Sequence, residues 1–538
     1  MASIFDIGEI VHGIATRLDT HDLARCLRVS RRYHVAFAPY LYSKFSTLSA
    51  AYLSRGCSPA ALFARYGRLV QVLTVAHPID LQAIADHTTN LKHLQLSLRG
   101  YQGYMYETFP DDEYLQHTSL ARNLNWGAIC KSVGTLLDAN TRLQSLMLDT
   151  CGEGKQDLPD FKKLLLQPSR LAFLARLTLC HFCYGTRTIL DLLAHFERLR
   201  EVIIQFDGHP LIDHQPEQFL PCYQLERINI GHVAADPGLV LFNTTLWEHC
   251  PRLTSLEIAS VTAKEIAKIA QRVFEGPMTD SVDLSIKWLL DKKLPTRTIR
   301  SFRMQTCDVG QNTLGVFLSP ERSPHLKILS LERCSIRIPS RLIQDLLTSC
   351  PALEEFIVGA STLDIATTTT ISALDIVGHG PWVCHGLKVL KIPIVGLCHC
   401  RTPPSPRSDE DARPHPPLQD HSKCRSLERA VYHQLAQLRR LRTLHVGRDV
   451  KLTWARRNGP AHLLQGTLSF SLANGLDELG PLFDLEKVDA TDLYLAVGLP
   501  EAQWMARHWP RWHYMGGLDP RSEGGTWLKE NKSGFLFF

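Results

Sequence analysis

Long apolar runs, a basic leader and blocks of like charge are absent from this sequence. No run of about 18 or more apolar residues suggests a membrane helix. The N-terminus, MASIFDIGEIVHG, carries acids where a secretory signal is basic. Lysine and arginine number 59 against 54 acids, a formal charge of +5, and no nucleic-acid-type basic block appears. We therefore expect no membrane partner, no nucleic acid, and a cytoplasmic and/or nuclear location.

Motifs of several enzyme classes are missing too. There is no Gly-x-Ser-x-Gly elbow, no His-Glu-x-x-His and no glycine-rich phosphate loop. The fifteen cysteines are odd in number and follow no export signal, which favours reduced thiols over a disulfide framework. We expect no enzyme, no catalytic residues, no cofactor and no metal site. A cysteine-dependent or metal enzyme remains an alternative, which depends on two cysteine clusters discussed below.

A Leu-x-x-Leu-x-Leu pattern recurs along the chain, and several intervals between copies fall near the ~20–29 residues of leucine-rich repeats. Wider gaps after residues 91, 253, 387 and 441 contain insertions or degenerate copies. Copies begin at Leu91, Leu143, Leu174, Leu199, Leu225, Leu253, Ile299, Leu326, Leu353, Leu387 and Leu441, with weaker ones at Val70 and Leu485.

Each copy predicts a short strand whose leucines point inward while the residues between them face out. Segments 186–196 and 339–350 have apolar residues at three- and four-residue spacing, which predicts a helix between strands. One strand and its return helix cannot bury their apolar faces alone, so the units must stack. We predict an α/β fold: a leucine-rich-repeat solenoid, a horseshoe with a parallel sheet on its concave face.

The repeats give most cysteines a structural interpretation. Cys250 and Cys350 precede a proline at a predicted helix end, where a small buried thiol fits. Three others follow the last leucine-type position of a copy by three residues, the Asn/Cys position of the repeat: Cys151, Cys307 and Cys334.

Two clusters leave other chemistry open. CHFC (180–183) has no second cysteine pair at zinc-finger spacing, so we interpret it as structural thiols. The second cluster has the residue types of a zinc site, but two of its cysteines are too close together for the usual loop. It consists of Cys384, His385, Cys398, His399 and Cys400, with Cys424 further on.

The N-terminal segment, residues 4–45, does not follow the repeat. Ile10, Ile14 and Leu18 predict one apolar helical stripe. We expect Thr20 to cap a second helix, and Ser30 to cap a third that ends at Pro39. Pattern alone leaves open a helical cap that closes the first repeat of the solenoid.

The same segment resembles an F-box. The matches are Glu9, Leu18, Asp22-Leu23, Leu27, Val29-Ser30-Arg31 and the aromatic Tyr33. Segments 498–518 and 526–531 also resemble the closing unit of an expanded F-box/leucine-rich family of zygomycete-type fungi. Gly8 stands where that family usually has Pro, and Tyr33 where it usually has Trp.

The resemblance implies an F-box-like helical domain at 1–48. The solenoid would occupy 49–538, with insertions near 99–120 and 398–425, the latter expected to be disordered because it is rich in Pro and charge. Within it, Ser405 and Ser408 are phosphorylation candidates.

By resemblance, the protein is the substrate-recognition subunit of a Skp–cullin–F-box ubiquitin ligase. Its partners would be a Skp-type adaptor, a cullin–RING ligase reached through that adaptor, and an unknown protein substrate. The expected adaptor contacts are Ile7, Gly8, Leu23, Leu27, Val29, Ser30 and Tyr33.

The varied residues between the leucines are the expected substrate surface, since a solenoid presents an extended face to partners. The alternative is an interaction scaffold outside any ligase, with a helical N-terminal cap. The surface residues are Arg227, Ser255, Glu257, Lys327, Glu355, Lys388, Lys391, Arg442 and His445.

Overall fold

The structure of the protein is a computed structural model. It divides into two compact units, Met1–Arg252 and Leu253–Phe538. The residues described are 8–46, 59–75, 81–97, 126–149, 164–165, 167, 171–182, 192–193, 195–206, 224–231, 250–259, 282–292, 299–305, 309–332, 338–359, 369–397, 421–447, 468–491, 493, 495 and 497–537.

The chain begins with three helices, α1 (Gly8–Ala15), α2 (Thr20–Val29) and α3 (Arg31–Tyr42). Their small core contains Val11, Ala15, Leu23 and Phe37. The predicted stripe on α1 is therefore wrong. The helix turns its neighbouring stripe inward, because Val11 and Ala15 are 5% and 4% exposed while Ile10 and Ile14 are both 38% exposed.

The helix boundaries differ from prediction at two residues. The Asp19 carboxylate caps α2 by accepting the Asp22 N–H at 2.7 Å, so Thr20 is the first helical residue instead of the cap. Ser30 caps α3 as predicted, accepting the Tyr33 N–H at 3.2 Å. Pro39 lies inside α3 and does not end it. Proline removes one helical hydrogen bond, but Tyr40 and Leu41 pack on the core and hold the last turn.

The first unit contains a parallel sheet whose strands follow chain order. They are β1 (Lys44–Ser46), β2 (Val72–Val75), β3 (His93–Ser97), β4 (Ser145–Asp149), β5 (Arg176–Phe182), β6 (Glu201–Phe206) and β7 (Arg227–Gly231). Between β1 and β4 lie α4 (Pro59–Tyr66), a 3-10 turn (Gly67–Leu69), α5 (Leu81–Ala85) and α6 (Trp126–Ala139).

The second unit repeats this plan. Its main sheet is parallel and contains β8 (Ser255–Ala259), β9 (Ser301–Gln305), β10 (Ile328–Glu332), β11 (Glu355–Val358), β13 (Val389–Lys391), β15 (Thr443–His445), β16 (Lys487–Asp489), β17 (Tyr514–Gly516) and β18 (Leu536–Phe537). A separate parallel pair joins β12 (Ile371–Ser372) and β14 (Ile394–Val395).

Helices of the second unit connect its strands. They are α7 (Val282–Lys292), α8 (Gln311–Phe317), α9 (Ser340–Ser349), α10 (Ala373–Gly378), α11 (His421–Ala436), α12 (Leu499–His508) and α13 (Glu523–Asn531), with 3-10 turns at Leu472–Asn474 and Leu476–Leu479.

The repeat leucines form the core of each unit. Leu326, Leu329 and Leu331 of one copy are all 0% exposed. Neighbouring copies stack in register, with Leu329 of β10 opposite Phe356 of β11. Parallel neighbours need a crossover connection, and the return segment of each copy supplies it while covering the leucine face of the sheet. The leucine-rich-repeat solenoid is confirmed.

The predicted segments between strands can be followed in part. The helix predicted at 339–350 is α9. Of 186–196, residues 192–193 and 195 are helical, Phe196 is not, and the others lie outside the described residues. The insertion near 99–120 lies outside them. Most of 398–425, with Ser405 and Ser408, also lies outside, but α11 begins at His421, so residues 421–425 are helical instead of disordered.

Candidate functional site

The N-terminal helices expose apolar side chains away from their own core. Val29, at the end of α2, is 66% exposed, and Val35 on α3 is 76% exposed. Ile10 and Ile14 on α1 add further exposed apolar area. Folded proteins leave single apolar residues on the surface routinely. Four such residues lie on this small helical unit.

The structure separates the expected adaptor contacts into two groups. Val29, Ser30 and Gly8 are exposed. Leu23 is 7% exposed and belongs to the core, since it lies on the inward stripe of α2. Its role as a direct contact does not fit this burial. Leu27 and Tyr33 are half-buried against the same core.

Ile7 lies outside the described residues. Sequence reasoning missed Ile10, Ile14 and Val35 as surface residues. A signal for the first two was present, because Val11 and Ala15 have the same helical spacing as Ile10 and Ile14.

These helices are joined firmly to the first repeat. The carbonyl of Ser43, directly after α3, accepts the N–H groups of Gln71 and Val72 at 2.9 Å each, and β1 then pairs with β2. The rings of Tyr42 and Tyr66 stack at 4.0 Å between centroids. The Tyr66 hydroxyl is 3.2 Å from the His34 Nε2 atom. Backbone pairing and aromatic packing together fix the direction in which the helices leave the sheet.

The expected substrate-surface residues occupy three positions relative to their strands. One group directly precedes a strand, which we call the entrance position: Lys327, Lys388 and Arg442. A second group is the first strand residue: Arg227, Ser255 and Glu355. The third group is the third strand residue: Glu257, Lys391 and His445. Arg227 belongs to the first unit and the others to the second. All are exposed or half-buried except His445.

Two sets of ion pairs cross the second unit's sheet. Glu354 accepts hydrogen bonds from Lys327 at 3.0 Å and from Lys388 at 2.5 Å. These bonds, first that of Lys388, hold the pKa of Glu354 below its ordinary value. Arg303 on β9 bonds Glu355 on β11 at 2.6 Å across the intervening strand. The structure thus brings predicted residues together through Glu354 and Arg303, and of these two sequence reasoning had not assigned Arg303.

His445 is 7% exposed and forms a pair with Asp489 on the next strand, 3.2 Å from Nδ1 to Oδ2. Asp489 also accepts the N–H and hydroxyl of Thr491 at 3.0 and 2.6 Å. Burial alone would raise the pKa of Asp489, but the bonds from His445 and Thr491 outweigh it and hold that pKa well below its ordinary value. A Cβ at Gly516 would lie 2.5 Å from the Asp489 carboxylate, so glycine leaves room for the pair.

His445 was predicted to be a surface contact, but the structure shows that it belongs to an internal polar pair with Asp489. Its Nε2 atom is buried without a hydrogen-bond partner. His445 occupies a strand position whose side chains alternate with the buried leucine-type ones, but neighbouring atoms cover it.

Most of the described cysteines that the sequence singled out are buried thiols. Cys250, Cys350 and Cys384 are all 0% exposed. Burial raises the pKa of Cys350 and of Cys384 to about 12. A thiol of that pKa is neither a ready nucleophile nor a ready metal ligand. Cys350 follows the end of α9, as the repeat predicted.

The rest of the cysteine clusters can be located only in part. Cys180 is buried on β5 and Cys424 is half-buried on α11. His385 is exposed. The remaining cluster members lie outside the described residues, and so do the cysteines at the Asn/Cys position of the repeat. They are Cys183, Cys398, His399 and Cys400 from the clusters, and Cys151, Cys307 and Cys334 from the repeats.

Within the described ranges, one group of three potential metal-ligating side chains comes close together: Asp19, His21 and Asp22, all near the surface. Asp19 is occupied as the α2 cap, and Asp22 pairs with Arg25 at 3.6 Å. Their arrangement is explained by the helix start. In the same ranges, none of the helices has both the length and the apolar character needed to cross a membrane.

Comparisons with known proteins find only distant likenesses. No family model and no curated protein matches it. It is similar to the crystal structure of the Rad7 and Elc1 complex in yeast, with 12% identity and a TM-score of 0.39, over 100% of this chain and 88% of the other. It is also similar to the TLR13–ssRNA13 complex, with 14% identity and a TM-score of 0.33, over 84% and 55%. Likeness this distant carries no argument about partners. The leucine-rich-repeat scaffold itself is typical of non-enzymatic binding proteins.

Proposed function

We propose that this protein is the substrate-binding subunit of a ubiquitin ligase of the Skp–cullin–F-box type. The N-terminal helices would dock a Skp-type adaptor, and the repeat sheets would hold a protein substrate. In this role the protein brings substrate lysines to high effective concentration near the loaded conjugating enzyme, and it catalyses no step itself.

One observation carries the proposal: the helices turn Ile10, Ile14, Val29 and Val35 outward. A helical cap serving only the solenoid would direct its apolar side chains toward the first repeat. Here that junction is made by Tyr42, Tyr66 and the backbone of Ser43, and the exposed apolar residues are additional to it. Apolar area with no internal use is best explained by a partner.

The rigid junction suits a receptor. Since α3 runs directly into β1, an adaptor bound to the helices would hold the first unit's sheet at a fixed orientation. A fixed geometry keeps substrate lysines within a limited region, and this raises their effective concentration more than a flexible tether would.

The experiment measures binding of a purified Skp-type adaptor to the full chain by calorimetry. The double variant Val29→Ala, Val35→Ala removes two methyl-sized groups from each exposed side chain. At about 0.8 kcal/mol per buried CH₂ the pair is worth about 3 kcal/mol, and we expect about a hundredfold weaker binding. Alanine is the better helix former, so the helices should stay folded.

A matched control is available on α10 of the second unit. Leu374 and Val377 are 66% and 46% exposed there, and the variant Leu374→Ala, Val377→Ala should bind the adaptor as the parent does. Adaptor binding that is absent from the parent, beside a positive-control F-box, would refute the docking role. Equal loss in both double variants would refute the assignment of its surface.

A non-ligase scaffold with a helical cap is the second candidate. The Tyr42–Tyr66 stack and the β1–β2 pairing are the contacts that a cap requires. If the protein is such a scaffold, deleting residues 1–43 lowers the thermal stability of the remaining chain. In that case the intact chain also binds no adaptor. The adaptor measurement therefore separates the two candidates directly.

A further inference from the structure

The strand entrances of the second unit carry an unusual concentration of positive charge. Arg300, Lys327, Lys388 and Arg442 directly precede β9, β10, β13 and β15. Arg439 and Arg440, both exposed, lie in the turn that leads into β15. We call these six residues the basic strip.

The backbone places the strip's strand-entrance residues side by side. The N–H of Lys327 bonds the carbonyl of Arg300 at 2.7 Å, and that of Glu354 bonds Lys327 at 2.7 Å. The series continues from Glu354 to Lys388 at 2.7 Å and from Lys388 to Arg442 at 2.8 Å. Consecutive strand entrances are therefore one strand spacing apart, about 4.8 Å, and the entrance between Lys327 and Lys388 is occupied by Glu354. The next strand entrance is occupied by an acid, Glu486, which ends the strip.

Charge balance along the strip is strongly one-sided. Its six cations surround one carboxylate, Glu354, which leaves five positive charges, as many as the formal excess of the whole 538-residue chain. The rest of the protein is thus neutral on balance. Within the described ranges, Arg300, Arg439, Arg440 and Arg442 form no ion pair with a carboxylate, so their charge is available to a partner. Like charges at this spacing repel, and an anionic partner relieves that repulsion.

Glu354 divides the strip into two cationic subsites. Its bonds to Lys327 and Lys388 draw one ammonium to each side of the carboxylate. Arg300 and Lys327 form one subsite, and Lys388 and Arg442 the other. The backbone midpoints of the two subsites are three strand spacings apart, about 14 Å, which an extended peptide spans in about four residues.

We propose that the basic strip binds an acidic protein segment in extended conformation, with two pairs of carboxylates centred about four residues apart. This deepens the proposed function by naming the class of substrate segment, and it rests on that function for its biological use. A single-stranded nucleic acid fits less well. Such sites interleave cations with aromatic stacking platforms, and the strip's own positions hold no aromatic residue. Glu354 at the centre would also repel a continuous phosphate backbone.

The test uses the full chain without adaptor, so that its failure and the failure of adaptor docking are distinguishable. A fluorescein-labelled peptide Glu-Glu-Ser-Gly-Glu-Glu is titrated by fluorescence anisotropy at about 50 mM salt, with Gln-Gln-Ser-Gly-Gln-Gln as the neutral peptide. We expect the acidic peptide to bind and the neutral one not to. Raising the salt to about 300 mM should weaken binding about tenfold or more, because exposed charges are then screened.

Variants locate the binding site. Arg300→Gln, Arg442→Gln removes one arginine from each subsite and should weaken the acidic peptide about tenfold. Arg507→Gln, Lys529→Gln removes the same charge from exposed positions on α12 and α13 and should leave the affinity within about twofold. Glu354→Gln removes the central repulsion and should tighten binding.

Three results would overturn the proposal: no binding of the acidic peptide at millimolar concentration, equal effects of the two arginine-containing variants, or weaker binding by Glu354→Gln. A twelve-residue oligothymidylate that binds more tightly than the acidic peptide, and that is lost in Arg300→Gln, Arg442→Gln, would assign the strip to nucleic acid instead.

Discussion

Asp283 offers a sharp test of how neighbouring repeats are held together. This carboxylate on α7 is 4% exposed and accepts three backbone N–H groups at the start of α8: Gly310 at 2.8 Å, Asn312 at 2.9 Å and Thr313 at 2.9 Å. The N-cap residue of α8 is Gly310, which has no side chain to cap with. Asp283 therefore supplies the cap from a different helix.

The structure sets the size of the effect. Asp283→Ala leaves three N–H groups without an acceptor in a buried site, at about 1–3 kcal/mol each, and partial access of water should reduce the total to about 4 kcal/mol. Asp283→Asn keeps one acceptor oxygen and loses the charge, so we expect about 2 kcal/mol. The control is Asp291→Asn on the same helix, whose exposed pair with Lys287 should contribute less than about 1 kcal/mol.

The assay is urea unfolding of the full chain followed by far-ultraviolet circular dichroism. With a denaturant slope of about 3 kcal/mol per M, Asp283→Ala should lower the midpoint of the second unit's transition by about 1.3 M. A shift no larger than that of Asp291→Asn would refute the capping argument. Such a result would mean that water or a rearranged turn satisfies the three N–H groups.

The same residue predicts a pH dependence. Burial would raise the pKa of Asp283, but the bonds from Thr313, Gly310 and Asn312 outweigh it and hold the pKa below its ordinary value. A carboxyl with a lowered folded-state pKa stabilises the fold above its unfolded pKa of about 3.9, and this contribution is lost as the pH falls further. The difference in midpoint between the parent and Asp283→Asn should therefore shrink below about pH 4. A constant difference from pH 7 to pH 3 would contradict the assignment.

Further predictions concern the thiols, a buried carboxylate and a helix cap. At pH 8 the thiols of Cys350 and Cys384, with pKa values of about 12, should not react with a disulfide reagent until the chain unfolds; rapid reaction of both in the folded chain would contradict their burial. Glu428→Ala should lower stability by about 3 kcal/mol in urea unfolding, because its Oε1 atom accepts the Ser469 N–H at 2.6 Å, the Ser469 hydroxyl at 2.8 Å and the Tyr432 hydroxyl at 3.1 Å. An unchanged midpoint would show that these donors find other acceptors. Ser30→Ala should destabilise the N-terminal helices by about 1 kcal/mol, measured by hydrogen exchange of α3 amides, while faster exchange spread equally over both units would contradict a local cap.

Much of the solenoid could be predicted because its signal is local and repeated. Leu326, Leu329 and Leu331 specify an inward face within six residues, and the 27-residue step to the next copy specifies the stacking partner. The basic strip could also have been predicted from the repeats. Aligning the copies at their leucines places Arg300, Lys327 and Lys388 at one equivalent position, although reading each copy separately does not reveal it.

The N-terminal helices show where periodicity is insufficient. Ile10 with Ile14, and Val11 with Ala15, are stripes about 100° apart on one helix, and each satisfies helical spacing. The choice between them depends on where α2 and α3 lie, and the stripe of α1 alone contains no information on that. The internal position of Leu23 follows from the same packing.

The sequence by itself determined the repeated strand, the direction of its leucines and the order of the strands, because these depend on neighbouring residues and on a regular spacing. Only the tertiary structure decided which polar groups meet. The Asp283 cap joins residues 27–30 positions apart, and the Glu354 carboxylate joins lysines 27 and 34 positions away. The burial of His445 was settled in the same way. Such contacts depend on the distance between whole elements after packing, and burial then determines whether a side chain is a surface contact or an internal partner.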